Sequence, residues 1–195
     1  MSESTTPAPG RPRSDLDATV FTATLRLVHE LGYAGATMDR IAAAAGIAKT
    51  TIYRRWPSKG VLITECLLHA FAPLPSSPLS PGGPPWLTST DPRGLWAAAI
   101  RWIAAKIGEP GVGAAFAGVF VDGITDPTLR DYLLHRLQDP YRAMVEEALG
   151  EPPERVLLFI DIIVGTLLHR MGMTGEPMAD ADVEALIALI VSAYG

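Results

Sequence analysis

The stretch TMDRIAAAAGIAKTTIYRRWPSK, residues 37–59, decides the fold, because it predicts two short helices joined by a glycine turn. Thr37 is a good N-cap for a helix over residues 38–45, since its hydroxyl can accept from the free amides of the first turn. Gly46 follows at the C′ position, where a left-handed backbone costs glycine little. The chain is therefore expected to reverse at Gly46 and to enter a second helix over residues 49–55.

The second helix has two chemically different faces. By the 3.6-residue period, its inner face carries Ala48, Ile52 and Arg55. Its outer face offers two cations, a hydroxyl and a phenol, from Lys49, Thr50, Tyr53 and Arg54. These groups can bond phosphate oxygens and base edges in a DNA major groove, which is about the width of one helix. The two helices are therefore predicted to form a helix-turn-helix that binds DNA.

The same residues resemble the DNA-binding domain of the tetracycline-repressor (TetR/AcrR-like) family of transcriptional regulators. The resemblance rests on Thr-Met-Asp-Arg-Ile-Ala at residues 37–42 and Ala-Gly-Ile-Ala-Lys-Thr-Thr-Ile-Tyr-Arg-Arg-Trp-Pro-Ser-Lys at residues 45–59, and it extends over residues 14–71. Ala48 and Gly60 depart from it, because the family often has a capping serine and a glutamate there. The starts of the third and fourth helices are therefore expected to be held less firmly.

The resemblance implies a dimeric, ligand-responsive regulator, most often a repressor, with double-stranded operator DNA and a small-molecule effector as its partners. The candidates for operator contact on the second helix are Lys49, Thr50, Thr51, Tyr53 and Arg54. The candidates that help to hold the DNA backbone are Thr37, Arg40, Trp56 and Lys59. Two-fold symmetry would place the recognition helices in successive major grooves, roughly 34–36 Å apart, so a pseudo-palindromic operator is expected.

The net charge of the 195-residue chain is −5, but the cations are concentrated at one end. Residues 1–60 hold eight Lys or Arg against five Asp or Glu, whereas residues 61–195 hold eight against sixteen. The acidic part should repel a duplex and so orient the approach of the basic part. The sequence shows neither a run of 18 apolar residues nor a signal peptide, which predicts a cytoplasmic protein without a membrane partner.

An all-α fold is predicted, because no segment shows convincing strand alternation. Asp91-Pro92 and Asp126-Pro127 each pair a capping aspartate with a proline suited to the first helical position. Helices are expected to cover residues 14–32, 38–45, 49–55, 58–71, 92–107, 110–124, 127–149, 152–173 and 179–194. Asp139-Pro140 should kink or split the helix that contains it.

Three segments follow from this pattern. Residues 1–13 are predicted to be a flexible basic arm that reaches DNA, or else a solvated tail. Residues 14–57 form the helix-turn-helix DNA-binding domain, and residues 58–195 form a helical ligand-binding and dimerisation domain. Within the second domain, residues 72–92 form a proline-rich loop, from which Trp86 and Leu87 could fold back over a pocket unless the loop is only a linker.

The middle helices carry the candidates for a ligand cavity. Its aromatic walls would come from Trp96, Trp102, Phe116 and Phe120, and its polar contacts from Asp122, Asp161 or His169. Ordinary hydrophobic core is the other interpretation of the aromatic residues. Asp161 lies within LLFIDIIVG and is expected to be buried, where it would need a partner such as Arg155, Arg170, a ligand or a second subunit.

The last two helices are apolar, and the resemblance implies that they pair with those of a second subunit in a homodimer, although they could also be simple core. Cys66, the only cysteine, is expected to be a small buried hydrophobe, which excludes an internal disulfide. No metal motif, cofactor motif or acid–base pair at useful spacing occurs, so the chain is not expected to be an enzyme. The alternative function is a DNA-binding protein whose C-terminal part is a protein-interaction module with no small-molecule inducer. A cavity lined by Trp102 and Phe116 would count against that alternative.

Overall fold

The computed structural model describes residues 13–71 and 91–194, and the regular structure of both ranges is entirely helical. The first range contains α1 (Arg13–Gly35), α2 (Met38–Ala44), α3 (Lys49–Arg55) and α4 (Lys59–Ala70). The second contains α5 (Pro92–Gly108), α6 (Val112–Thr125), α7 (Pro127–Leu133), α8 (Asp139–Leu149), α9 (Pro153–Thr174) and α10 (Asp180–Tyr194), with a π-helical turn at Leu134–Gln138. The predicted all-α class is confirmed. The expectations for the basic arm up to residue 12, and for Trp86 and Leu87 in the proline-rich loop, lie outside the described residues.

Four of the helices begin at side-chain caps that the sequence predicts. The Thr37 hydroxyl accepts from the Arg40 amide at 3.3 Å, and the Ser58 hydroxyl accepts from the Val61 amide at 3.2 Å. Asp91 and Asp126 cap α5 and α7 in the same way, each at 3.1 Å from the amide three residues on. These bonds satisfy amides that a helix start would otherwise leave unpaired. The start of α4 is therefore held by Ser58, contrary to the expectation drawn from Gly60, whereas Ala48 gives α3 no side-chain cap, as expected.

The structure differs from the predicted boundaries in three places. Gly32 breaks the path of α1 with φ of 71°, as predicted, but a further turn carries the helix to Gly35. The sixth helix begins at Val112 rather than at residue 110, because the Val112 amide first closes a turn onto the Glu109 carbonyl at 3.0 Å. The expected break at Asp139-Pro140 takes the form of the π-helical turn that separates α7 from α8. A proline lacks the amide that would continue the helical ladder, and a π turn absorbs that loss.

The DNA-binding part and the C-terminal helices share one hydrophobic core. Helix α6 packs against both α1 and α4, and α5 packs against α6, α9 and α10. Cys66 on α4 is fully buried in this core, and burial raises the pKa of its thiol above its ordinary value. Helix α6 therefore packs directly on α1 and α4, the two helices that flank α2 and α3 in the chain.

Two glycines allow the close approach of the two parts. A Cβ atom on Gly60 would lie 2.5 Å from Cδ2 of Leu129 in α7. A Cβ atom on Gly118 would lie 2.1 Å from Cγ of Tyr33 in α1. Both distances are far below van der Waals contact, so a side chain at position 118 would meet the Tyr33 ring, and one at position 60 would require Leu129 to move. Gly60, which departs from the family pattern, lies in a packing contact with α7.

Candidate nucleic-acid interface and ligand cavity

The turn between α2 and α3 is closed by two backbone hydrogen bonds around Gly46. The Gly46 amide donates to the Ala43 carbonyl at 3.2 Å, and the Ile47 amide donates to the Ala42 carbonyl at 3.0 Å. Gly46 has φ of 68°, the left-handed conformation that such a helix end requires. This turn sets the angle at which α3 leaves α2, and therefore the direction in which its outer face points.

The inner side of α3 is fixed by one apolar and one ionic contact. Ile52 is fully buried, and the Arg55 guanidinium donates to the Asp17 carboxylate of α1 at 2.6 Å. Because the middle and the C-terminal end of α3 are tied to the core in this way, the opposite side of the helix cannot rotate inward. Helix α3 is thereby held with its outer face toward solvent.

The outer side of α3 carries the groups that the period predicts. Lys49, Thr50, Tyr53 and Arg54 are exposed, Tyr53 to 47%, and Thr51 is half-buried beside them. The Lys49 ammonium is 2.5 Å from the Asp39 carboxylate of α2. An exposed pair of this kind contributes at most about 1 kcal/mol, so DNA can displace it. The face therefore presents cations and hydrogen-bonding groups at the surface of a protruding helix.

Residues predicted to hold the DNA backbone occupy different environments. Thr37 and Arg40 are exposed at the start of α2, where the Arg40 guanidinium donates to the Gly35 carbonyl at 3.2 Å. Lys59 is half-buried, with its ammonium 3.8 Å from the centre of the Tyr33 ring and 3.1 Å from the Tyr33 carbonyl oxygen. Thr37 and Arg40 are accessible to a phosphate, whereas Lys59 is already engaged by Tyr33.

Trp56 corrects the sequence prediction. It was expected to contact the DNA backbone, but it is only 5% exposed and meets the Phe21 ring edge to face, with 5.7 Å between the ring centroids. Its neighbour Pro57 ends α3 and turns the chain, and this turn directs the indole inward. Trp56 is a core residue beneath the DNA-binding face.

The middle helices enclose an apolar cavity of about 300 Å³. Its aromatic walls are contributed by Phe71, Trp102, Phe116, Phe120, Tyr141 and Phe159. Phe71 lies at the centre of this group, because its ring meets those of Trp102 and Phe116 edge to face, each with 5.4 Å between centroids. A cavity of this size and lining is typical of a small-molecule site.

The cavity contains few polar groups. The Tyr141 hydroxyl donates to the Phe71 carbonyl oxygen at 2.8 Å, and burial raises the pKa of Tyr141 above its ordinary value. Gln138 and Asp161 complete the polar lining. The hydroxyl of Tyr141 is thus already committed as a donor, and the amide of Gln138 and the carboxylate of Asp161 remain for a ligand.

Four of the six candidate ligand residues meet in this cavity, namely Trp102, Phe116, Phe120 and Asp161. The other two do not. Trp96 is 1% exposed and packs on the Phe159 ring at 4.3 Å, and His169 lies on an exposed side of α9 outside the lining. Three aromatic residues of the lining, Phe71, Tyr141 and Phe159, were not predicted. Phe71 lies at a helix end and Tyr141 beside Pro140, where the apolar period of a helix gives no signal, and Phe159 lies in an apolar run that resembles ordinary core.

Asp161 also corrects an expectation. Within one chain it is exposed rather than buried, and among the described residues no cation pairs with it, so of the expected partners a ligand and a second subunit remain. Arg155 pairs with Glu151 at 3.0 Å and Arg170 pairs with Asp182 at 2.7 Å. Asp161 keeps its hydration because the surface of α9 that carries it is not covered within one chain.

Asp122, also considered for the cavity, instead links two helices. The Tyr33 hydroxyl of α1 donates to the Asp122 carboxylate of α6 at 2.5 Å. Burial, with a smaller contribution from Asp122, raises the pKa of Tyr33 above its ordinary value. The two residues are 89 positions apart, so no local pattern could have paired them. Tyr33 therefore connects Asp122 on the cavity helix α6 with Lys59 at the start of α4.

Within residues 13–71 and 91–194, no group of three or more His, Cys, Asp or Glu side chains is arranged to hold a metal ion. The polar groups described above form hydrogen bonds and ion pairs between helices, and the exposed face of α3 remains the principal site. A protruding helix of a helix-turn-helix, with cations on its outer face, defines a DNA-binding protein.

Comparison with known families agrees with this geometry. Residues 20–66 match the family described as bacterial regulatory proteins, tetR family, and residues 91–190 match the tetracyclin repressor-like C-terminal domain. The chain belongs to the TetR family of bacterial transcription regulators, which are DNA-binding proteins and not enzymes. The resemblance stated from the sequence is thereby confirmed for both the N-terminal DNA-binding part and the C-terminal helices.

Individual relatives extend over nearly the whole chain. An uncharacterised HTH-type transcriptional regulator of Mycobacterium bovis is 26% identical over 94% of this chain and 88% of its own length. The DNA-binding transcriptional repressor TetR of Mycobacteroides abscessus is 28% identical over 92% of each chain. A TetR-family regulator from Mesorhizobium loti shares the fold, with a TM-score of 0.69, 16% identity and coverage of 94% of this chain and 96% of its own.

Proposed function

We propose that this regulator is a cytoplasmic repressor that binds a pseudo-palindromic operator as a homodimer and leaves it when a small molecule enters the cavity. One observation carries the proposal: α6 supplies Phe116 and Phe120 to the cavity and also packs on α1 and α4 of the DNA-binding part. A ligand that displaces α6 acts on the helices that position the DNA-binding face.

The operator contacts in this proposal follow the exposure of the side chains. Lys49, Thr50, Tyr53 and Arg54 contact base edges and nearby phosphates, with Thr51 at the edge of the face. Thr37 and Arg40 bond phosphates at the start of α2. Lys59 contributes only if its ammonium turns from Tyr33 toward DNA, and Trp56 acts from the core by supporting α3.

The dimer interface in this proposal consists of α9 and α10. Leu158, Met173 and Leu189 on these helices are 54%, 74% and 68% exposed, and only 22% of the most apolar 18-residue window of α9 is buried. That helix is long and apolar enough to span a membrane, but it packs on α5, α6 and α8. A second copy of the same two helices would cover these side chains in a self-complementary interface.

We accordingly assign DNA binding to a domain over residues 14–57, and ligand binding and dimerisation to a domain over residues 58–195. The alternative, a C-terminal interaction module without an effector, predicts a well-packed interior. The cavity lined by Trp102 and Phe116 favours an effector instead.

The experiment that tests this proposal is selection of bound duplexes from a random pool, with the affinity of the selected sequence followed across salt concentration. A repeated half-site with two-fold symmetry and a steep salt dependence would support dimeric operator binding. Selection of a single unrepeated half-site would contradict the dimeric arrangement, and enrichment of no sequence would contradict operator recognition by α3.

The base-contact assignment predicts a specific change in Lys49→Ala. We expect the preferred sequence to relax at one position of each half-site, with a loss of about 1–3 kcal/mol in discrimination there. The measurement is a repeated selection with the variant. Arg101→Ala is the matched control, because it also removes an exposed cation paired with a carboxylate, but on α5. An unchanged preference in Lys49→Ala would place base recognition elsewhere.

A further inference from the structure

We infer that the effector is a lipophilic organic cation, an amine or quaternary onium group attached to an aromatic or bulky apolar body. The inference rests on the proposed function, because it assigns a ligand chemistry to the cavity that the proposal treats as the effector site. It is carried by the charge and the ring content of the cavity lining.

The lining carries charge of one sign only. Among the described residues that line the cavity, Asp161 is the single charged side chain, and no Lys, Arg or His is present. The cations on α9 are engaged elsewhere, Arg155 with Glu151 and Arg170 with Asp182. An anionic ligand would find no cation to pair with and would be repelled by Asp161, so the cavity selects against acids and phosphates.

The aromatic walls favour a cation as well. Phe71, Trp102, Phe116, Phe120 and Tyr141 contribute rings to one cavity, and the faces of such rings carry a negative electrostatic potential. A cation within about 6 Å of a ring centroid is stabilised by this potential, and more strongly where water is excluded. The same rings supply dispersion contacts and apolar surface to the body of the ligand.

The hydrogen-bonding groups do not offset this preference. The Tyr141 hydroxyl, which could otherwise donate to an anion, already donates to the Phe71 carbonyl at 2.8 Å. Gln138 is neutral and can donate or accept. Neither residue provides the charge-assisted donors that a carboxylate or sulfonate needs in an apolar site.

The position of Asp161 fixes the orientation of the ligand. Asp161 is exposed within one chain and is also part of the lining, so it lies at the rim of the cavity. The rings of Phe71 and Phe116 lie in the buried part. The charged end of the ligand therefore sits at the mouth, beside Asp161, and its apolar body extends inward between the aromatic side chains.

The test compares two probes of the same shape and opposite charge, with a smaller neutral probe as reference, by calorimetric titration of the full chain without DNA. They are tetraphenylphosphonium, which is a cation, triphenylphosphine oxide, which is neutral, and tetraphenylborate, which is an anion. We expect tetraphenylphosphonium to bind about tenfold more tightly than the neutral probe, a factor that corresponds to 1.4 kcal/mol. Tetraphenylborate is expected to bind more weakly than both.

The variant Asp161→Asn should reduce the affinity for tetraphenylphosphonium to near that for the neutral probe and leave the neutral probe unaffected. Asp131→Asn, which neutralises an exposed aspartate of α7 outside the cavity lining, is the control and should change neither affinity. Since Asp161 is exposed, folding of the variant is not expected to suffer, and the wild-type probe series tests the inference independently of the variant.

The outcomes separate this inference from the proposed function. Equal or tighter binding of tetraphenylborate, or failure of tetraphenylphosphonium to bind, overturns the cation preference. If tetraphenylborate also releases the operator, and Asp161→Asn has no effect, the cavity remains an effector site with a different ligand chemistry. If tetraphenylphosphonium binds with the expected dependence on Asp161 but never releases the operator, the ligand chemistry stands and the proposed ligand response fails.

Discussion

Gly46 is the residue on which the geometry of the DNA-binding face depends most directly. Its φ of 68° is unfavourable for an L-residue, and a Cβ atom there would meet nothing within 4 Å. We therefore expect Gly46→Ala to cost about 1–2 kcal/mol through backbone conformation alone. Urea denaturation measures this loss. Gly46→Asn is the matched control and should cost less, because asparagine tolerates the left-handed region; equal losses would indicate a steric cause.

Prediction from sequence succeeded for single residues where one helix decides their environment. Once Ile52 is buried, the helical period places four residues on the opposite, exposed side of α3, namely Lys49, Thr50, Tyr53 and Arg54. It failed for Trp56 and Asp161, whose exposure depends on how other helices pack around them. A tryptophan beside cationic residues can face DNA or the core, and an aspartate in an apolar segment can be exposed or buried. Only the packing of the other helices decides between these environments.

Under the proposed function, the contact between α1 and α6 would link the cavity to the DNA-binding part. Tyr33→Phe removes the hydroxyl that donates to Asp122, while the ring that supports Lys59 remains. We expect operator affinity to change less than twofold, a difference below about 0.5 kcal/mol, and the unfolding free energy to fall by about 1 kcal/mol. The effector concentration needed for operator release should rise.

Fluorescence anisotropy of a labelled operator, titrated with effector, measures that response. The control is Tyr53→Phe, which also removes a single phenol hydroxyl but on the outer face of α3. In the control, operator affinity should be the quantity that changes, with the effector concentration for release unaltered. A Tyr33→Phe variant with an unchanged release concentration would exclude the hydroxyl from the coupling.

The close approach of α6 to α1 gives a second element-scale prediction. Gly118→Ala would bring a Cβ atom within 2.1 Å of the Tyr33 ring, so the two helices must separate. We expect a loss of about 1–3 kcal/mol, the usual range for overpacking a filled core. Thermal unfolding measures it. Gly172→Ala is the comparison, because a Cβ atom there meets nothing within 4 Å, and a similar loss in both variants would contradict a packing cause.

Helix boundaries were largely predictable because the caps are local. Thr37, Ser58, Asp91 and Asp126 each bond an amide only three residues away, so the signal and the structure occupy the same few positions. The pairing of helices was not predictable in the same way. The Tyr33–Asp122 bond and the fit of Gly60 against Leu129 join residues far apart in the chain, and neither leaves a trace in the local pattern.

At the scale of the whole molecule, the buried thiol of Cys66 and the half-buried phenols of Tyr33 and Tyr141 predict a loss of stability in alkali. Burial raises the pKa values of Cys66, Tyr33 and Tyr141 in the folded chain, and Asp122 adds to the effect at Tyr33. The unfolded chain ionises these groups at their ordinary pKa values, so the folded state loses relative stability as pH rises through about 9 to 10 and beyond. Each group contributes a slope of up to about 1.4 kcal/mol per pH unit.

Chemical denaturation at pH 7, 9, 10 and 11 would measure this slope. From these groups no change is expected between pH 6 and pH 7, where all three are neutral in both the folded and the unfolded state. Tyr33→Phe should remove the contribution of Tyr33 to the decrease of the unfolding free energy above pH 10 and leave the contributions of Cys66 and Tyr141. A constant unfolding free energy up to pH 11 would mean that the buried phenols and thiol reach solvent more easily than their packing indicates.

The ion pair between Lys49 and Asp39 has a consequence for how the protein searches a genome. In free solution the lysine is held by a neighbouring carboxylate 2.5 Å away, and a random duplex must compete with that carboxylate for each contact. A matching base edge offers the lysine a directed hydrogen bond in return, whereas a mismatched one leaves Asp39 facing the negative backbone. Under the proposed base contact of Lys49, Asp39 is therefore expected to weaken binding to incorrect sites more than binding to the operator, so that the regulator would spend less time on the many incorrect sites of a chromosome.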